Sequence, residues 1–481
     1  MQEFKHWIGG KPVDPHSAEW IDKVAPATAQ RIGRLARGDA TDVARAVDAA
    51  RAALAGPWKD CGDEERASLC DRIASGIEAR SDELARLESE DTGKPLSLAR
   101  AVDIPRAVSN FRFFASALRQ REESFHHMGT AFSYTLRRPL GVVALITPWN
   151  LPLYLLSWKA APALAMGNAI VAKPSELTPR SASVLASIFN EAGAPAGVFN
   201  LVHGYGPEAG QALVEHPDVA GVSFTGGTKT GAQVAATAAS SFKKLSLELG
   251  GKNPSVVFAD CDFDTTVDGV ARAAFLNQGQ ICLCGSRILV ERPLVERFTA
   301  ALVERAKAMR IGDPSDADTN LGALISQEHR QRVESYIALA RDEGGKILCG
   351  GGRPELAAPF CDGAFVEPTV VGGLPIDCRT ATEEIFGPMA TIHAFEGEKE
   401  AVEMANSVRY GLSASVWTQD LERAHRVAAV LEAGLVWVNC WLVRDLRVPF
   451  GGVKESGVGR EGGRWSLEFF SEAKSVCVKA G

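Results

Sequence analysis

From Leu140 onward the sequence alternates. The short β-rich runs GVVALITPW, AIVAKPS, VFNLVHG and VAGVSFTG are separated by helical stretches such as TPRSASVLASIFNEAG and GPEAGQALVEHP. Strands that take turns with helices are joined by crossovers, and crossovers lay successive strands parallel, so this part of the chain predicts a doubly wound parallel sheet. A second alternating series opens at PSVVFADCDF, continues through SRILVERPLVERFTAALVERAKAM and GGKILCGGG, and closes at GLVWVNCW. The expected class is α/β with two such sheets. At 481 residues the chain is too long for one ordinary core, and its 46% of hydrophobic residues suffices to fill more than one.

Ahead of the first series, TDVARAVDAARAAL and DEERASLCDRIASGIEARSDELARLESEDTG carry apolar residues at three-to-four spacing and stop at Gly93, which predicts a helical opening over 41–93. Two segments fit neither series: SFHHMGTAFSYTLRRP and the tail SVCVKAG. Each reads either as an arm that pairs with another subunit or as a hairpin packed on its own chain, because a bare edge strand invites pairing.

A formal net charge of −7 argues against a nucleic-acid or anionic-membrane surface and favours a small-molecule partner. The opening MQEFKHWIGGKPVDP lacks a basic stretch followed by an apolar one, and no apolar run reaches the roughly 18 residues a membrane helix needs. A cytoplasmic location is expected. Ten irregularly spaced cysteines form no disulfide framework, so free thiols are expected. Cys282 and Cys284 have no second cysteine pair or histidine nearby, which argues against a metal site.

Four stretches can carry chemistry, each with a plainer alternative. SFTGGTKTG follows a strand and can open a helix whose amides face a phosphate at Gly226 and Gly227, although it matches neither the dinucleotide nor the P-loop spacing and can be a simple tight turn. AKPSE offers Lys173 and Glu176, a pair able to hold ribose hydroxyls or merely a solvated ion pair. LELGGKNP sets Glu248 between leucines, where apolar surroundings raise a carboxylate toward the proton affinity of a general base. TPWNLPL holds Asn150 between Trp149 and a proline-stiffened turn, as an oxyanion donor or an ordinary turn residue. A further stretch, FLNQGQICLCGSRI, carries two thiols.

In order and spacing, TPWNLPL, AKPSE, FTGGTKTG, LELGGK, GQICLCGSR, EEIFGP and PFGGVKESGVGRE resemble the signature segments of the NAD(P)-dependent aldehyde dehydrogenase superfamily, over essentially the whole chain. The resemblance implies that fold, with an NAD-binding domain over 1–120 and 140–248, a catalytic domain over 249–447 and a small β oligomerisation arm over 121–139 and 466–481. It implies Cys282 of G-Q-x-C as nucleophile, Glu248 as general base and Asn150 as oxyanion donor. NAD is the implied cofactor, with Lys173 and Glu176 on its adenosine ribose, Gly226 and Gly227 at its phosphates, Glu384 of EEIFGP on its nicotinamide ribose, and Trp149 beside it. Gly227 stands where the family usually has a serine, so one hydroxyl contact to the cofactor is missing. A homodimer or homotetramer is also implied.

Within the superfamily, DTGKPLSLARAVDIPRAVSNFRFF, NQGQICLCGSRI and GLVWVNCWLVRDLRVPFGG are most similar to the 2-aminomuconate and 2-hydroxymuconate semialdehyde dehydrogenases of aromatic-compound degradation. Such a substrate carries a carboxylate, which arginine holds better than lysine because its planar fork donates two parallel hydrogen bonds. Arg106 and Arg447 are the expected anchors, Arg444 a weaker alternative, and Trp158 an expected pocket wall. The rival readings are a dehydrogenase of another aldehyde, such as betaine aldehyde or benzaldehyde, and a non-catalytic structural protein on the same fold.

Overall fold

In the computed structural model, which describes residues 2–479, the alternating text becomes two sheets. The first has eight strands in the order Gly457–Val458, Lys244–Glu248, Val219–Thr225, Val142–Ile146, Ala169–Lys173, Phe199–Leu201, His6–Ile8 and Lys11–Val13. Its five central strands are parallel and its outer pairings antiparallel. Chain order runs one way from Val142–Ile146 through Phe199–Leu201, then resumes on the other side at Val219–Thr225. Between those two neighbours lies the switch point, where the connections diverge and leave a crevice beyond the strands' carboxyl ends. Helices cover both faces: one apolar cluster packs Val143, Leu145 and Ile170 against Leu156, Leu164 and Phe189, and the opposite one packs Ala144 and Val171 against Val43, Val47 and Leu213.

The second sheet has seven strands, Lys346–Cys349, Thr369–Gly372, Met389–Phe395, Arg287–Glu291, Pro254–Val257, Ser413–Trp417 and Leu435–Val438, all parallel except the first pair. The two segments that fit neither series pair with each other. Ala131–Pro139 lies antiparallel between Phe125–Met128 and Ser471–Lys479, and both outer strands of this small sheet lack a further neighbour among the described residues.

The helical opening is three helices, Ala40–Ala55, Asp63–Ala79 and Ser81–Thr92. The first is capped by the Asp39 side chain, which accepts from the Thr41 and Asp42 amides. Five short strands precede it in residues 2–36. They escape a periodicity reading because they are only three to six residues long, mix buried and exposed positions irregularly, and are held by pairing, in one case with the distant Leu201. No helix among the described residues is long and apolar enough to cross a membrane.

Candidate active site

The carboxyl edge of the first sheet meets the amino edge of the second, and a funnel runs between them. Its lining includes Glu248 and Thr225 from the first sheet's strand ends, Cys282 and Ile281 from the loop before Arg287–Glu291, and Tyr154, Phe450 and Arg444 on the outer wall.

The loop carrying Cys282 is held rigidly. Asn277 and Gln278 sit in the left-handed backbone region at φ of 54° and 57°, a strained conformation for residues with a Cβ that persists only where the surroundings fix it. The fixing contacts are explicit: Gln278 donates to Ala323 O at 2.9 Å, and the Asn253 amide donates to Cys282 O at 2.7 Å and Cys284 O at 3.0 Å. Trp441 Nε1 donates to Leu283 O at 3.0 Å. With its carbonyls tied back, the half-buried Cys282 thiol is left on the funnel, whereas Cys284 is buried in the apolar cluster of the second sheet. Burial and the nearby carboxylates of Glu248 and Glu384 push the Cys282 thiol well above its ordinary range, so without substrate it rests as the thiol.

Asn150 is buried at the switch point, in the turn between Val142–Ile146 and the helix Pro152–Ala165. One of its amide hydrogens goes to Gln280 O at 2.9 Å, and the other has no acceptor among the described residues. The Cys282 N–H likewise has none. The Asn150 amide reaches the loop that carries the thiol through Gln280, and two free donors at such a loop are able to receive an anion.

Glu248 is 4% exposed, and neither carboxylate oxygen has a hydrogen-bond partner. A Cβ at Gly451 would lie 2.8 Å from its Oε1, so that glycine is what leaves room for the carboxylate. Burial, and then the charge of Glu461, raise its proton affinity well above the carboxylate norm. Glu461 is itself ion-paired: its Oε1 accepts from Lys159 Nζ at 2.6 Å and from Ser223 Oγ at 3.2 Å, all three residues buried. Sequence reasoning missed this triad. The one legible signal was a lysine inside the otherwise apolar helix LPLYLLSWKAAPALA, a position lysine occupies only with a partner.

The nucleotide side is built from backbone. Gly227 precedes the helix Thr228–Ala239, no side chain caps its first amides, and a Cβ at Gly227 would meet nothing within 4 Å. Such an open helix start suits a phosphate. At the end of Ala169–Lys173, two strands away in the same sheet, Lys173 is buried, with Nζ 3.3 Å from the half-buried Glu176. Glu384 receives the Gly251 N–H at 3.0 Å and overlies Gly250, where a Cβ would come within 2.1 Å of its carboxylate. Trp149 is wedged edge-on against His329 and Phe386. These groups fit a dinucleotide: a phosphate cradle, a carboxylate and ammonium for a ribose, and a second carboxylate nearer the thiol.

Two expected substrate contacts need correction. Arg447 is 79% exposed and forks onto Asp445 at 2.9 and 2.6 Å, so its charge is spent at the surface and it lines no part of the funnel. Arg444, three residues earlier, does line it. Trp158 is also not a pocket wall. It is 2% exposed behind Tyr154, and the guanidinium groups of Arg106 and Arg444 lie 5.2 and 5.4 Å from its ring. Arg106 packs on the Tyr154 ring at 5.2 Å and donates to Asn110 Oδ1, and Arg444 donates to the Tyr154 hydroxyl at 3.1 Å.

The profile of the aldehyde dehydrogenase family matches residues 13–476, and the chain belongs to that family. It is 50% identical, over 100% of both chains, to a 2-hydroxymuconic semialdehyde dehydrogenase of Pseudomonas sp. (strain CF600). It is 47% identical, over 100% of this chain and 98% of the relative, to a 2-aminomuconic 6-semialdehyde dehydrogenase of Pseudomonas sp.. The fold superposes on an NAD+ complex of an aldehyde dehydrogenase from Bacillus cereus with a TM-score of 0.97 at 39% identity, covering 100% of this chain and 97% of that one.

Proposed function

We propose that the protein oxidises a semialdehyde bearing a distal carboxylate, of the 2-hydroxymuconic or 2-aminomuconic type, to the dicarboxylic acid with NAD+. The observation that carries the substrate class is at the funnel wall, where Arg444 lines the space and Arg106 packs on the Tyr154 ring beside it. Arg106 and Arg444 converge on Tyr154, neither forms an ion pair, and Arg106 Nη2 and Arg444 Nε are buried without a partner. Two like charges gathered in a half-buried wall with no carboxylate in ion-pair contact repel each other, and an incoming anion relieves that repulsion. The names of the 50% and 47% identical relatives support the same class.

The residues divide the work. Cys282 attacks the aldehyde carbon, and the oxygen that gains charge is received by the second Asn150 amide hydrogen and the Cys282 N–H. The thiol proton leaves toward Glu248, whose affinity for it the same burial has raised. Lys173, Glu176, Glu384 and the amides after Gly227 would hold the dinucleotide, which when bound would supply the acceptor for the hydrogen that leaves the carbon with its electron pair as hydride. A thioester on Cys282 remains. Glu248, once its proton has passed to solvent through the funnel it lines, draws a proton from water as the water attacks, and the acid departs. A carboxylate at Glu176 accepts a ribose 2′-hydroxyl and repels a 2′-phosphate, which favours NAD+ over NADP+.

The small antiparallel sheet with two open edges supports assembly into a homodimer or homotetramer. Ten free thiols suit a cytoplasmic location. The test is a comparison of kcat/KM across aldehydes of matched length with and without a distal carboxylate. Preference for the carboxylated members supports the reading; equal rates contradict it.

A further inference from the structure

The helix Ser81–Thr92 ends at Gly93, whose φ of +79° is the left-handed conformation that suits glycine at a helix end. The next residue, Lys94, is turned inward and buried. Its ammonium group donates to Asp103 Oδ2 at 2.6 Å and to the backbone carbonyl of Asn150 at 2.9 Å. Asp103 ends a single widened turn over Ala99–Asp103, closed by the Ile104 N–H bonding to Ala99 O, and such a turn rotates a side chain out of ordinary helical register. One turn before Gly93, Glu88 accepts the Leu153 N–H at 3.1 Å. The stretch Asn150–Leu153 is thus gripped at both ends by buried polar side chains from one helix and the turn after it. Asn277 adds a weaker contact, 3.4 Å from the same Asn150 carbonyl.

A buried ammonium–carboxylate pair is a poor source of stability, because removing both charges from water costs about as much as their attraction returns. Lys94 and Asp103 touch none of the groups assigned to the dinucleotide. What Lys94 does reach is the backbone of the oxyanion donor. We infer that Lys94, itself held by Asp103, is a positioning residue: it pins the Asn150 carbonyl so that the side-chain amide already faces the place where negative charge develops. This rests on the assignment of Asn150 as oxyanion donor. A preorganised donor contributes only when it need not turn at the moment of reaction, and a misplacement of about 1 Å costs on the order of 100-fold.

The experiment is a double-mutant cycle on the rate of the first NADH burst, measured in the full-length enzyme with NAD+ and aldehyde. Lys94→Met should slow the burst by about ten- to a hundred-fold and leave NAD+ affinity and aldehyde KM nearly unchanged. In an Asn150→Ala background the same change should cost less than about two-fold, because the group it positions is gone. Since Lys94→Met strands the Asp103 carboxylate, Lys94→Met/Asp103→Leu is run beside it. Independent effects that multiply in the cycle, or a wild-type burst in both Lys94 variants while Asn150→Ala is slow, overturn the positioning role alone. A wild-type burst in Asn150→Ala removes the oxyanion assignment and the inference with it.

Discussion

Lys159 Nζ lies 2.6 Å from Glu461 Oε1 inside the protein, and Glu461 is the charge that most raises the proton affinity of Glu248 after burial itself. Glu461→Gln removes that repulsion and leaves Lys159 unpaired, so both changes lower the Glu248 pKa. A general base works only when deprotonated, so thioester hydrolysis rises with pH through this pKa. The acid limb of the hydrolysis step should therefore move to lower pH in Glu461→Gln. Pre-steady-state rates across pH check it, and an unmoved or upward-shifted limb contradicts the electrostatic coupling.

The two cysteines should separate cleanly. Cys282→Ser should reduce aldehyde oxidation to background, because a hydroxyl lacks the acidity and nucleophilicity of a thiol. Cys284→Ser should keep most activity and cost about 1–3 kcal/mol of stability, since a hydroxyl replaces sulfur in the apolar cluster beneath the loop. Paired assays and thermal unfolding decide it; comparable activity losses would reverse the assignment.

Arg444 and Arg447 should differ just as sharply. Losing a partly desolvated charged contact costs about 2–5 kcal/mol, so Arg444→Met should lower kcat/KM on a carboxylated semialdehyde by roughly thirty-fold or more. A neutral aldehyde of similar size should be affected little. Arg447→Ala should change neither, because its guanidinium already sits on Asp445. An equal fall on both substrates in Arg444→Met would mean that the residue supports the wall and does not hold a carboxylate.

The difference between those two arginines shows where sequence reading stops. Both lie in RDLRVPF, and only the turn around Asp445 decides which one faces the funnel. The alternating strands were legible because buried parallel strands need continuous apolar runs between turn residues. Cys282, Glu248 and Asn150 stood out because glycine and proline flank them in short motifs. Lys159 and Glu461 are 302 residues apart, and only the seating of the C-terminal glycine-rich turn against the first sheet joins them. Lys94 lay in plain sight behind a helix-ending glycine, but nothing local reveals that its partner is a backbone carbonyl 56 residues away.

The central claim is that Cys282 carries the substrate through a thioester that Glu248 then releases. Glu248→Ala is mixed with NAD+ and a carboxylated semialdehyde, and NADH absorbance is followed on the millisecond-to-minute scale alongside intact-protein mass. The account predicts one NADH per subunit, then near arrest, with an acyl adduct on Cys282. Sustained turnover at the wild-type rate with no adduct would contradict it.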